Sequence, residues 1–358
     1  YGVGIENYYG IESFAYDQQC RAIPELLHVF SAGNAGAETS AEGPYAGIPG
    51  FANLTGHFKM SKNTISVGGV DRLGVISSRS SRGPAHDGRV KPEAAAFGAG
   101  GTSEAAAIVA GISLLLQDAY RSSFGELPPS DLVKAVLINS STDRGRPGVD
   151  YEYGFGVVNA RRALQTIQEN RFFLYPAFSG TEIKFLINIP APANQLKVTL
   201  AWNDPEADAG SGKALVNDLD MEVTEVATAN VFRPWVLSSF PHLDSLRKNA
   251  RRGPDHVNNV EHITIENVQP GEFTVSVKGF GAFRSPQSFS VVYEVSSSPQ
   301  WMFPTTSDAI PSDEEIILRW DSQKNSGAAT LEWKYSDTNE WTPFQTVELS
   351  DGAVAWRT

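Results

Sequence analysis

Near residue 170 the hydrophobic period of this chain changes, and the two sides of the change call for different architectures. Upstream, Leu26 to Ala32 (LLHVFSA) and Asn63 to Val70 (NTISVGGV) are short apolar runs beside glycines. They alternate with helix-length segments at Glu104 to Tyr120, Pro129 to Ser141 and Asn159 to Asn170. Strands alternating with helices imply a parallel sheet covered on both faces. The Glu104 to Tyr120 segment is apolar on nearly every side, which predicts a central, buried helix. Ser130, after a Pro-Pro turn, is the expected N-cap of the next helix.

Downstream, EIKFLINI, QLKVTLAW, LDMEVTEV, EHITIENV, GEFTVSVKGF and FSVVYEV alternate apolar with polar residues between Gly, Pro and Asn. That pattern predicts antiparallel strands in a β-sandwich or jelly roll. A Ser-Ser-Ser-Pro linker at Ser296 to Pro299 precedes EEIILRW and ATLEWKYS, which read as the first strands of a small immunoglobulin-like or fibronectin-III-like module. The expected fold is multidomain: a partial α/β parallel-sheet domain over 1–168, a jelly roll over 169–295 and a partial β module over 300–358. A length of 358 residues suits two or three cores.

The formal net charge of -12 disfavours nucleic acid or an anionic membrane as partner. No apolar run reaches the roughly 20 residues that span a bilayer. One cysteine, Cys20, excludes a disulfide within the chain. The sequence starts without methionine or signal peptide and stops inside a strand-like pattern, so both ends read as cut.

Two short motifs bear chemistry. In HVFSAGNAG an apolar strand runs into Asn34, bracketed by Gly33 and Gly36. In GAGGTSEAAAIVAG, Ser103 follows Gly101-Thr102 at the start of a helix. A helix N-terminus favours a developing anion. A serine becomes a nucleophile with a base beside it, and a tetrahedral intermediate needs donors on its oxygen. Each motif alone is most often an ordinary turn or cap; their order and the sequence between them raise the chemical reading.

FSAGNAG, KNTISVGGVD, SSRSSRGPAHDGRVKPE and GTSEAAAIVAG resemble, in that order, the second half of a subtilisin-like serine protease domain. DYEYGFGVVNARRAL resembles the segment that closes that domain. KVTLAWNDPEA, ALVNDLDMEV and NNVEHITI resemble the jelly roll that follows it in some bacterial members. The resemblance covers residues 1 to about 295. It implies Ser103 as nucleophile, an oxyanion hole of the Asn34 amide and the Ser103 backbone N–H, a peptide substrate, no cofactor for the chemistry, and an extracellular, monomeric bacterial protein.

The same resemblance exposes departures. The family orders its triad Asp, His, Ser, and neither an Asp-X-Gly nor a His-Gly-Thr-His motif occurs here. His28 lies in an apolar strand, and His57 and His86 are expected on solvated surface turns. About twenty residues expected between Lys-Pro-Glu and Gly-Thr-Ser are replaced by AAAFGAG, through deletion or omission, and Ala107 stands where the family usually has proline. The reading is therefore a secreted serine endopeptidase whose His and Asp lie outside these residues. The alternative is a degenerate subtilase scaffold that binds or adheres without cleaving.

Asp218 and Asp220, two apart on an expected strand, share a face; with Asn217 they are a candidate calcium site, against a hydrogen-bonded carboxylate pair. Related jelly rolls carry calcium. Trp202 and Trp235 read as sandwich core, and Arg251-Arg252 as an exposed loop pair.

Overall fold

The computed structural model describes residues 4–281, 286–322, 325–335 and 337–357. Residues 1–3, Ser336 at the end of the ATLEWKYS run, and Thr358 lie outside them. The chain forms two compact units, one of Tyr1–Asn188, Lys197–Thr264 and Gly271–Glu294, the other of Ile189–Leu196, Ile265–Pro270 and Val295–Thr358.

The first unit begins with helix α1 (Ile11–Ala22) and carries strands β1 (Val29–Ser31), β2 (Ile65–Val70) and β3 (Ala94–Phe97). These pair in the order β1-β2-β3, parallel throughout. Every residue of β2 is buried, as expected of a strand covered on both faces. β3 passes directly through the turn Gly98–Gly101, closed by Gly101 N–H donating to Gly98 O at 3.1 Å, into α2 (Thr102–Phe124). AAAFGAG is thus a strand and a tight turn with no intervening loop. Helices α3 (Ser130–Ser140) and α4 (Ala160–Gln168) follow.

The burial of these helices departs from expectation. α2 buries Ala105, Ala106, Val109, Leu116 and Tyr120 but leaves Ile108, Leu114 and Leu115 exposed, the last two at 66% and 64%. α3 is the enclosed helix, with all eleven residues buried. It shares one apolar core with β2 and β3, and with Ala201, Val260 and Val292 from the antiparallel region. Pro129, not Ser130, is the N-cap of α3; the Ser130 hydroxyl accepts from Asn203 Nδ2 at 2.9 Å. Asn159 does cap α4, accepting from Arg162 N. α1 has no apolar stripe. Buried Asp17 anchors it by accepting from the backbone N–H of Lys62 (2.8 Å) and Asn63 (2.9 Å).

The antiparallel region supplies β4 (Phe172–Ala177), β5 (Glu182–Ile189), β6 (Ala193–Ala201), β7 (Asp218–Glu225), β8 (Val231–Phe232), β9 (Trp235–Val236), a one-turn helix α5 (Leu243–Leu246), β10 (Arg251–Arg252), β11 (Val260–Val268), β12 (Gly271–Phe280) and β13 (Gln287–Ser296). Two four-stranded sheets form, ordered β11-β6-β13-β4 and β5-β12-β7-β8, while β9 and β10 pair alone. Trp202 is fully buried, its indole donating to Asn217 O at 3.1 Å. Trp235 is half-buried with the Arg252 guanidinium 3.5 Å above its ring. Arg251 and Arg252 thus belong to a short strand. The second unit adds a three-stranded sheet of β14 (Gln300–Phe303), β15 (Glu315–Asp321) and β18 (Ala353–Arg357), and a hairpin of β16 (Ala328–Trp333) and β17 (Thr342–Glu348).

Within the first unit, polar contacts bind the parallel and antiparallel regions together. Lys62 Nζ lies 2.9 Å from Asp204 and donates to Pro205 O and Ala214 O, with no side-chain exposure at Lys62 or Asp204. Asp131 of α3 accepts from the Ser290 hydroxyl of β13 at 2.7 Å. Burial pushes the Asp131 carboxyl up to about 6, because the charged form loses its water. A raised carboxyl favours folding while protonated and loses that contribution as pH rises from about 4 to about 6. Asp131→Asn is therefore expected to stabilise the protein at pH 7 by about 1–3 kcal/mol. Urea unfolding should show this gain disappearing below about pH 4; a gain that persists there would deny the ionic cause.

Candidate active site

The Asn34 turn has its shape because its glycines have no room for a side chain. Gly33 sits at φ +119°, and a Cβ there would meet Thr55 Oγ1 at 2.5 Å. At Gly36 a Cβ would strike Ser80 O at 2.3 Å. The loop is stapled to the neighbouring segment: Ser81 N donates to Gly33 O (2.9 Å), Ala35 N to Ser81 Oγ (3.1 Å) and Gly36 N to Arg79 O (3.0 Å).

Thr102 joins this turn to α2. Its backbone N–H donates to Asn34 Oδ1 at 3.0 Å, and its hydroxyl donates to the same oxygen at 3.1 Å while accepting from Gly33 N at 3.1 Å. Gly101, at φ +129°, allows the approach, since a Cβ there would lie 2.9 Å from Asn34 Oδ1. Two donors on one atom fix which end of the amide is oxygen. The Asn34 nitrogen is left without a partner among the described residues, at an exposed position one residue from exposed Ser103. Asn34 and Ser103 are thus brought together; sequence reading missed Thr102, which connects them. The local sterics of Gly-Thr were visible, but its partner across the sheet was not.

Among the described residues no histidine hydrogen-bonds Ser103. His28 meets Gln19 Oε1 at 2.8 Å. His57, in the short 3-10 helix His57–Met60, stacks on Tyr8 and meets Glu6 at 2.9 Å. His86 is buried, its ring 3.0 Å from Ser211 O. Neither His57 nor His86 is the solvated turn residue expected: tertiary neighbours enclose both. His242 accepts from Asp244 N, and His262 Nδ1 lies 2.8 Å from the Thr199 hydroxyl. Ala107 sits in the first two turns of α2 without interrupting the helix.

The sixth histidine belongs elsewhere. His256 Nδ1 lies 3.1 Å from Asp218 Oδ2 and 3.7 Å from Asp220 Oδ1. Its ring stacks on Phe280 at 4.0 Å between centroids. Asp218 and Asp220 do share a face of β7. Asn217, in the bend before β7, donates from Nδ2 to Gln287 at 2.8 Å. Burial pushes the Asp218 carboxyl up to about 6, against the pull of His256. No spacing rule announces His256, which a loop delivers from 36 residues beyond Asp220.

Residues 6–156 match the model of the subtilase family, peptidase family S8. A serine protease/ABC transporter B family protein, tagA, of Dictyostelium discoideum is 27% identical over 224 residues. That alignment covers 56% of this chain, which spans 12% of the length of that relative. Among solved structures, the patellamide maturation protease PatA is 21% identical, with TM-score 0.36, covering 47% of this chain and 61% of that one. The serine protease of Aeromonas sobria is 14% identical, with TM-score 0.34, covering 82% and 70%. No helix among the described residues is long and apolar enough to cross a membrane. Over residues 6–156 the chain is similar to the subtilase family of serine peptidases.

Proposed function

We propose that residues 1–168 carry the nucleophile and oxyanion hole of a secreted serine endopeptidase, followed by a jelly roll over 169–295 and an immunoglobulin-like module over 300–358. The observation that carries this reading is the Asn34–Thr102 lock, which turns an amide donor outward beside Ser103. In the reaction, Ser103 Oγ attacks a peptide carbonyl as its proton passes to a histidine base. The oxyanion accepts from Asn34 Nδ2 and the Ser103 N–H. Collapse breaks the C–N bond, the amine leaves with the proton from the base, and an ester on Ser103 remains. Water then attacks the ester, giving its proton to the same base and releasing the acid.

The base and its orienting aspartate come, on this proposal, from polypeptide outside these 358 residues. The exposed Ile108, Leu114 and Leu115 on α2 support it, since an apolar face of that kind is what another packed segment would cover.

Fluorophosphonate labelling with peptide mapping tests the reading. The gene's longer product should be labelled at Ser103, and the 358-residue polypeptide alone should not. An unlabelled longer product, or one without an aspartate and histidine to complete the site, would replace the peptidase reading with the binding scaffold.

A further inference from the structure

We propose that Asp218, Asp220 and His256 form a binding site for a zinc-class divalent cation, with Glu261 as the inner wall. One donor atom from each of the three lies within 4.8 Å of the others. They come from two places in the sequence, β7 and the loop before β11, and meet beside a cavity of about 420 Å³ lined by Asp220, His256, Glu261, Lys278 and Phe280.

Unsatisfied atoms supply the second argument. Asp218 Oδ1, Asp220 Oδ1 and His256 Nδ1 are all buried without a hydrogen bond. Glu261 is 1% exposed; its Oε2 accepts from Met221 N at 2.5 Å, and its Oε1 has no partner. Buried polar atoms are normally paired, and the orphans of Asp220, His256 and Glu261 on the cavity wall, with that of Asp218 in the same cluster, are what an ion would satisfy together. Charge points the same way. Asp218 and Asp220 bring two carboxylates against Lys278, which faces Asp220 across the β7–β12 ladder, while Arg233 of the same cavity pairs with Glu222 at 2.9 Å. Asp255 is satisfied separately by Asn258 and by the backbone of Val257.

The donor set decides the class of ion. Calcium collects about six to eight oxygens and has no preference for imidazole. Zinc takes about four donors in a tetrahedron, and imidazole with carboxylates is among its ordinary sets. Donors about 2.0–2.2 Å from a tetrahedral ion stand about 3.3–3.6 Å apart. The His256 to Asp218 and Asp220 separations, 3.1 and 3.7 Å, bracket that span. Stacking on Phe280 holds the imidazole edge toward the carboxylates.

The test is titration calorimetry of untagged, chelator-stripped 358-residue protein with zinc chloride and, separately, calcium chloride. One zinc per chain is expected, with affinity at least tenfold above that for calcium. His256→Ala and Asp220→Asn should each weaken zinc binding at least 100-fold with the circular dichroism spectrum unchanged. His256 is partly exposed, so its variant carries the test if Asp220→Asn misfolds. No zinc binding by the wild type, zinc binding retained in His256→Ala, or calcium binding more tightly than zinc would each overturn the proposal. These readouts do not involve Ser103 and stand apart from the peptidase reading.

Discussion

On the proposed reading, in a longer product that supplies the histidine and aspartate, Ser103→Ala is expected to lower kcat by about 10⁶ and to abolish fluorophosphonate labelling, with little change in thermal stability. The size follows from the proposed role: without the oxygen no acyl-enzyme forms, and no tetrahedral oxyanion arises on that path for Asn34 to stabilise. Ser103 is exposed and its hydroxyl makes no hydrogen bond to the described residues, so its loss removes little from the fold. Asn34→Ala should cost less, about 10²–10³ in kcat with KM nearly unchanged, the range known for the corresponding donor in subtilisin. Asn34 also accepts two hydrogen bonds from Thr102, so a change of stability must be separated from a change of rate. Asn34→Asp makes that separation: it keeps an acceptor for Thr102 and removes the donor. The Asn34→Ala change should add nothing once Ser103 is gone, because groups that act as a unit are not additive. Independent losses in the double variant would place Asn34 outside the reaction.

Glu93→Gln is expected to destabilise the 358-residue protein by about 3–5 kcal/mol, the usual effect of removing one partner from a buried ion group. Glu93 accepts from Lys91 Nζ at 2.6 Å, Lys134 Nζ at 3.1 Å and the Ser66 backbone N–H at 2.7 Å, in a site with almost no solvent. Burial opposes the Glu93 charge, but the two ammonium groups outweigh it and hold the carboxyl below its ordinary range. Burial pushes the Lys91 ammonium down to about 8 in spite of Glu93. Glutamine would leave two buried cations facing a neutral group. Against a total stability of about 5–15 kcal/mol for a folded domain, that loss is large. A lowered carboxyl stabilises fully above its ordinary value near 4.5 and loses that contribution as pH falls through its depressed value. The gap between wild type and variant in urea should therefore close in acid. A gap under about 1 kcal/mol at pH 7 would mean that water screens the group. Adding Lys134→Met to Glu93→Gln should recover part of the loss, since it removes one stranded charge.

Legibility in the sequence followed the range of the forces involved. The strands around LLHVFSA and NTISVGGV, helices α2 to α4 and the antiparallel region were readable because periodicity and turn chemistry act over a few residues. α1 was not, since IESFAYDQQCRA has no apolar stripe and is held by Asp17 reaching Lys62 and Asn63. The enclosed helix was misjudged for a related reason. α2 has the more apolar sequence, but α3 lies where the parallel sheet and the antiparallel strands meet, so α3 is the one buried on all sides.

By itself the sequence carried the resemblance to subtilases and named Asn34 and Ser103. That Gly33, Gly36 and Gly101 must be glycine is a tertiary fact, because atoms of Thr55, Ser80 and Asn34 occupy the space of a Cβ. Only the tertiary structure decided which charges meet. Glu93 with Lys134, Lys62 with Asp204, and His256 with Asp218 are joined across 41, 142 and 38 positions. Such pairs depend on distance and on exclusion of water, and neither is set until the segments between them have packed.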